Sequence, residues 1–227
     1  MSTMHERLIE VGAGVLVPAD LTIPDDPRGI VAFAHGSGSS RLSPRNRQVA
    51  QALNTDGFAT LLFDLLTPEE ELDRANVFDI PLLGRRLAAA TGWLRHQAGT
   101  SELPLGYFGA STGAAAALIA AADLGAVISA VVSRGGRPDL AAARLSEVRA
   151  PTLLVVGGLD PRCSSSTARR SANCAASMSS KSWSAPPICS RSPASSRPSP
   201  GWRATGSRAT SRNPSTGARR QPLATLP

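Results

Sequence analysis

The sequence predicts an α/β fold: a doubly wound, mainly parallel sheet with helices on both faces. Three observations carry that expectation. Short apolar runs of β-type residues alternate with longer segments of helical periodicity from Ile30 to Val156. Two of those runs end in glycine-rich turns, His35-Gly36-Ser37-Gly38 and Gly109-Ala110-Ser111-Thr112-Gly113, each leading towards a helical segment. The connections are short, as crossovers in one compact domain require.

Taken in order, Ile30-Val31-Ala32-Phe33-Ala34 is a fully apolar strand. A helix starts at Ser43-Pro44, with Ser as N-cap and Pro in the first turn, and runs to about Asp56 before Gly57 ends it. Phe58 to Phe63 is the next strand, and Asp64 to Asp73 reads as an acidic loop. From Ile80 to His96, apolar side chains recur at helical spacing (Leu82, Leu83, Leu87, Trp93, Leu94), which predicts a crossover helix. Leu103 to Phe108 is a strand, Thr112 to Asp123 an alanine-rich helix, Val127 to Val132 a strand, and Leu140 to Leu145 a short helix. Thr152 to Val156 is the last strand, ending in Gly157-Gly158-Leu159-Asp160. Five parallel strands result, and the pattern then stops.

The 227 residues carry a net charge of +7, which on its face suggests nucleic acid or an anionic surface as partner. Position overturns that reading. Residues 1–161 hold all 17 acidic side chains against 13 arginines, a net of −4, whereas residues 162–227 hold 11 basic residues and no acid. The second segment contains 17 Ser and 8 Pro, with isolated hydrophobics. Its arginines are scattered, with only Trp183 and Trp202 between them. A disordered basic arm for nucleic acid is therefore the weaker reading of it. The domain expectation is an incomplete α/β core over 1–161 followed by a disordered Ser/Arg/Pro/Ala-rich tail over 162–227. The three cysteines, Cys163, Cys174 and Cys189, all lie in the tail at spacings that fit neither a disulfide framework nor a zinc site. The N-terminus lacks a signal-peptide core. The nearly apolar stretch Ala110 to Val132 contains Asp123, two glycines and many alanines, which argues against a membrane span. These features predict a cytoplasmic protein with no metal, cofactor, membrane or nucleic-acid partner.

The chemistry centres on Gly109-Ala110-Ser111-Thr112-Gly113. G-x-S-x-G is a weak motif alone, but here it lies between a predicted strand and a predicted helix. A sharp turn there presents Ser111 Oγ at the C-terminal edge of the sheet. Gly109 and Gly113 are required because side chains would collide with the neighbouring strand and helix. The N–H of Thr112, at a helix N-terminus, points towards whatever Ser111 attacks. The turn after His35 supplies a second donor, the N–H of Ser37, for an alkoxide formed in acyl transfer. A dinucleotide reading of that turn fails, because the third glycine of G-x-G-x-x-G would fall on Arg41. His35 reads as a residue bonding its own loop rather than as a general base. Asp160, after the last strand, stands where the acid of a Ser, Asp, His order belongs.

Together these residues resemble the α/β-hydrolase superfamily and, within it, the dienelactone-hydrolase-like family, over residues 8–161. The similarity is carried by Ala34-His35-Gly36-Ser37-Gly38-Ser39-Ser40-Arg41 through Ser43-Pro44-Arg45-Asn46, by Leu61-Leu62-Phe63-Asp64-Leu65-Leu66-Thr67, by the Ser111 turn and by Val156-Gly157-Gly158-Leu159-Asp160. The resemblance implies an α/β-hydrolase-type sheet and hydrolysis of a small-molecule ester, lactone or similar acyl compound. It implies an acyl-enzyme on Ser111, with Asp160 orienting a histidine, Ser37 and Thr112 forming the oxyanion hole, and no cofactor or metal. Dienelactone hydrolase proper has a cysteine where this chain has Ser111.

One departure matters. No histidine follows His96, and the helix, strand and final helix that should follow Asp160 are not legible. Reading tail codons as the last base of one and the first two of the next, permitted synonyms let Arg162–Ser171 encode E-V-L-E-L-N-R-K-A-L, an amphipathic helix. Ser184–Ser195 can encode E-R-A-T-H-L-F-E-E-P-G-E, and Trp202–Ser207 can encode L-A-R-D-W-F. The histidine of the second falls 27 to 28 residues after Asp160. The expectation is a frameshift near codon 162 in a hydrolase, leaving a catalytically dead or misfolded product with a bare sheet edge at Thr152–Val156.

Overall fold

A computed structural model of the chain describes residues 3–157 and 178–183. They belong to one compact unit, Met1–Ile188, and a second unit, Cys189–Pro227, lies outside the described residues. The strands are β1 (Thr3–Glu10), β2 (Leu16–Ile23), β3 (Ile30–Ala34), β4 (Ala59–Phe63), β5 (Leu105–Ala110), β6 (Ile128–Arg134), β7 (Thr152–Gly157) and β8 (Met178–Trp183). They form one sheet in the order β1-β2-β4-β3-β5-β6-β7-β8. From β4 to β8 every pairing is parallel, while β1 with β2 and β2 with β4 are antiparallel.

The helices divide between the two faces. Helix α1 (Pro44–Thr55) is capped by Ser43, whose side chain accepts the Asn46 N–H, and the chain leaves it through Gly57 at φ +81°. It seats Ala50, with Val49 and Leu53, on Phe33, Leu62 and Phe108. On the other face lie α4 (Ile80–Arg95) and α5 (Thr112–Leu124), over Ala32, Leu61, Leu105 and Tyr107. Every residue from Thr112 to Ala121 is buried, so the apolar stretch seen in the sequence is a central helix enclosed by protein. Small side chains let α4 come close: a Cβ on Gly84 would stand 2.8 Å from Ile119 Cγ2. Among the described residues no helix is long and apolar enough to cross a membrane.

Three expectations are corrected. The sheet has an N-terminal antiparallel hairpin as well as the five anticipated strands. In β1, Met4 to Leu8 are all exposed, and Pro18 interrupts β2, so neither strand shows a clean period of two. The acidic stretch expected to be a loop contains α2 (Pro68–Glu71) and is followed by α3 (Arg74–Phe78). Thr67 and Glu70 form a reciprocal capping box around α2. The sheet edge at β7 is not bare, because β8 pairs with it in parallel from Thr152↔Met178 to Gly157↔Trp183. That ladder uses only main-chain groups, which Met-Ser-Ser-Lys-Ser-Trp supplies without any apolar period to announce it. The short helix expected at Leu140 to Leu145 is found within Pro138–Glu147, where it is 3₁₀.

Candidate active site

Strand β5 delivers Ser111 at the sheet's C-terminal edge, exposed, at φ +52° and ψ −122°. A non-glycine residue held there stores about 1–3 kcal/mol of strain, so the surroundings must impose it. The Ser111 N–H donates to Arg134 O at 3.4 Å, and Ser111 O accepts from Ala114 N–H at 3.1 Å and Arg137 N–H at 3.2 Å. The glycines leave no alternative path. A Cβ on Gly109 would lie 2.7 Å from Gly113 O, and one on Gly113 would lie 2.6 Å from the Ala34 carbonyl carbon. A Cβ on Gly36 would meet Ser111 Cβ at 2.9 Å, which puts the loop after β3 directly beside the serine.

That loop is locked by His35, which is buried. Its Nε2 accepts the Leu65 N–H at 3.1 Å, so Nδ1 carries the proton and donates to Gly36 O at 3.1 Å. Both ring nitrogens are committed, as the sequence suggested, and neither is left to take a proton from Ser111. The other two histidines are remote. His5 lies on the edge strand β1, four strand spacings from β5 or about 19 Å. His96 caps the C-terminal end of α4, where neighbouring Arg95 donates to Leu103 O before β5 begins. The length of β5, about 20 Å, separates it from Ser111.

The donors expected for an oxyanion stand in a relation that the sequence did not reveal. The Ser37 N–H donates to Thr112 Oγ1 at 2.9 Å, across 75 residues of chain. The Thr112 hydroxyl thus ties the loop to the helix, and it must share or release that proton before Ser37 can serve an alkoxide. The Thr112 N–H, at the first position of α5, has no intrahelical acceptor. Beside these groups is a cavity of about 20 Å³, bounded by Ser37, Thr112, Leu65, Leu66, Val77 and Leu83. That is little more than one water. Asp160 lies outside the described residues. Among those residues no group of three or more His, Cys, Asp or Glu could hold a metal ion. Sequence reasoning missed Arg134. Its guanidinium loses some basicity to burial and to the nearby charge of Arg45, and its carbonyl steadies Ser111.

The fold recurs in solved structures. Dienelactone hydrolase from Anabaena variabilis is 49% identical, with a TM-score of 0.77, over 81% of this chain and 86% of that one. The chain belongs to the dienelactone hydrolase family. A dienelactone hydrolase-like promiscuous phosphotriesterase, P91, from metagenomic libraries shares the fold, with a TM-score of 0.65 at 18% identity over 81% of this chain and 82% of its own. Two Mycobacterium tuberculosis proteins, each named "Putative phosphoribosyl transferase", are 65% identical over 158 residues, 69% of this chain and 36% of theirs. The dienelactone-hydrolase-like chain therefore spans about a third of the length of the curated relatives it matches. No family model matches the chain.

Proposed function

We propose that this fold is that of a serine hydrolase that cleaves an ester, lactone or similar acyl bond in a small molecule. The observation that carries the reading is Ser111, exposed and held at positive φ between a strand and the N-terminus of a buried helix. Ser111 Oγ attacks the acyl carbon and gives up its proton to a general base. The carbonyl oxygen becomes an alkoxide, which accepts hydrogen bonds from the N–H groups of Thr112 and Ser37. Collapse of the tetrahedral species expels the alcohol and leaves an acyl-serine, which water then hydrolyses. The small cavity beside the two donors favours a short acyl group. The transferase name of the curated relatives belongs to proteins of which this chain matches 36%, and the site around Ser111 supplies no reason to carry it over.

The base would be a histidine oriented by Asp160, and the chain as written has none beyond His96. We infer that the reading frame shifts near codon 162. The match at 65% identity runs for 158 residues, close to the length of the acid-containing segment 1–161. Without the base, turnover falls by about 10⁴- to 10⁶-fold. Assay of p-nitrophenyl acetate hydrolysis should give negligible turnover for this chain and rapid turnover for a frame-restored one. In the restored chain a fluorophosphonate should label Ser111, and Ser111→Ala should abolish both signals. Rapid hydrolysis by the chain as written, lost in Ser111→Ala, would contradict the missing-base reading. An early stop codon in the shifted frame would exclude the frameshift.

A further inference from the structure

A second cavity, of about 270 Å³, lies between α1 and the antiparallel edge of the sheet, and the chemistry at Ser111 does not use it. Strand register sets its floor. Met4, Thr22 and Thr60 stand in one row across β1, β2 and β4, and Asp20 stands beside Leu62 in the next. Alternation puts these five on the face that α1 covers, since Leu62 packs in one cluster with Ala50. The wall is a single stripe of α1, Arg47, Ala50, Gln51 and Asn54, at helical spacing. In the sheet order β2 is three strand spacings from β5, about 14 Å. The cavity is therefore separate from the small one beside Ser37 and Thr112.

The polar groups around it are largely fixed in place. Asp20 is buried and accepts from Arg41 at 3.3 Å and from Arg47 at 3.0 Å, while Glu6 and Asp64 also pair with Arg41. Three acids thus meet two arginines, and an anionic ligand would add to an acidic excess. The Asn54 amide is held by Phe58 O at 2.9 Å and by Thr60 Oγ1 at 3.0 Å, so it is oriented before any ligand arrives. Among the described residues the Thr22 hydroxyl and the Gln51 side-chain amide have no hydrogen-bond partner. Acceptors and donors stand together here beside the aliphatic side chains of Met4 and Leu62. A hydroxyl group both donates and accepts, and a ring bearing several of them keeps C–H groups for the aliphatic floor. No aromatic side chain lines the cavity, so a nucleobase would find nothing to stack on. The volume lies near the lower end for small-molecule sites and suits one ring. We propose that this cavity binds a neutral single-ring polyol, a monosaccharide, between β2 and α1, with Thr22, Gln51, Asn54 and Arg47 as its hydrogen-bonding partners. The site is independent of the hydrolase reading.

The test needs no catalysis. Binding to the full chain is measured by saturation-transfer NMR titration with D-glucose, D-glucuronate and D-glucosamine, rings of one size that are neutral, anionic and cationic. Glucose should bind with a dissociation constant of about 2 mM, from the usual efficiency per atom of a small ligand. Glucuronate should bind at least tenfold more weakly. Thr22→Val removes a hydroxyl at nearly constant volume and should weaken glucose about three- to tenfold. Thr22→Phe fills the cavity from a half-buried strand position, where an aromatic residue suits the strand, and should abolish binding. Gln51 is exposed on α1, so Gln51→Ala keeps the fold, should weaken binding about threefold, and remains informative even if Thr22→Phe unfolds the chain. Ser111→Ala should leave glucose binding unchanged. No glucose binding, or glucose binding unaffected by Thr22→Val and Gln51→Ala, overturns the proposal. So does tighter binding of glucosamine or glucuronate than of glucose. Weaker glucose binding in Ser111→Ala would move the sugar to the serine site and overturn it as well.

Discussion

Replacing Gly113 by Ala sets two effects of opposite sign against each other. Within a helix, Gly to Ala gains about 0.5–1 kcal/mol. Here the new methyl would lie 2.6 Å from the Ala34 carbonyl carbon and closer still to the carbonyl oxygens of Ala34 and His35. All three are backbone atoms at the end of β3, so no side chain can rotate away. Relief requires the N-terminus of α5 to back away from the sheet by most of an ångström, against the packing of Gly109 on Ala114. Overpacking of this kind costs about 1–3 kcal/mol and outweighs the helix gain, so Gly113→Ala should lose about 1–2 kcal/mol net. At about 2–4 °C per kcal/mol for a chain of this length, the melting temperature falls by several degrees. Gly92→Ala is the internal control, because Gly92 lies inside α4, is exposed, and has nothing within 4 Å of the added methyl. It should be stabilised by about 0.5–1 kcal/mol. Urea unfolding of both variants reads the two signs. A Gly113→Ala protein as stable as its parent would refute the claim that the serine turn is held by contact with the β3 backbone.

The chain has one tyrosine, and Tyr107 is buried with its hydroxyl 2.6 Å from Thr91 Oγ1. Burial pushes its ionisation well above the ordinary range. The folded state therefore keeps a proton that the unfolded chain releases near pH 10. Stability should be unaffected below about pH 10 and fall above it, and tyrosinate absorbance should appear only with alkaline unfolding; a reversible titration near pH 10 in the folded protein would contradict this. Thr112→Val removes the acceptor of the Ser37 N–H and should cost about 1–3 kcal/mol in urea, with Thr112→Ser recovering most of it. Asp20 is buried and accepts from Arg41 and Arg47, so Asp20→Ala leaves Arg41 with Glu6 and Asp64 as its acid partners and should destabilise by roughly 1–3 kcal/mol. A loss below 1 kcal/mol would mean that Glu6 and Asp64 suffice.

Elements whose side chains alternate or repeat against a core were legible in one dimension. The strand Ile30–Ala34, the Ser43-Pro44 start of α1 with Gly57 beyond its end, the stripe of α4 and the serine turn all appear where their local chemistry puts them. What failed did so for identifiable reasons. The hairpin of β1 and β2 turns through Gly12-Ala13-Gly14, all at positive φ, but exposed polar residues and Pro18 blur its period. The alternation Val15, Val17, Ala19, Leu21 was the available signal. The Thr67-Pro68-Glu69-Glu70 capping box was likewise written in the sequence, hidden by its acidity. For β8 no side-chain signal exists, because its pairing is made by the main chain.

By itself, the sequence determined the parallel α/β core, the serine at a strand-to-helix turn, the glycines it needs and the change of composition after Pro161. These follow from local sterics, capping and the burial of apolar periods. Only the tertiary structure decided that His35 is committed to Gly36 and Leu65 and that Thr112 holds the Ser37 N–H. Those contacts join residues 30 and 75 positions apart, or depend on which of several polar groups lie within hydrogen-bond reach, and no periodicity along the chain records that.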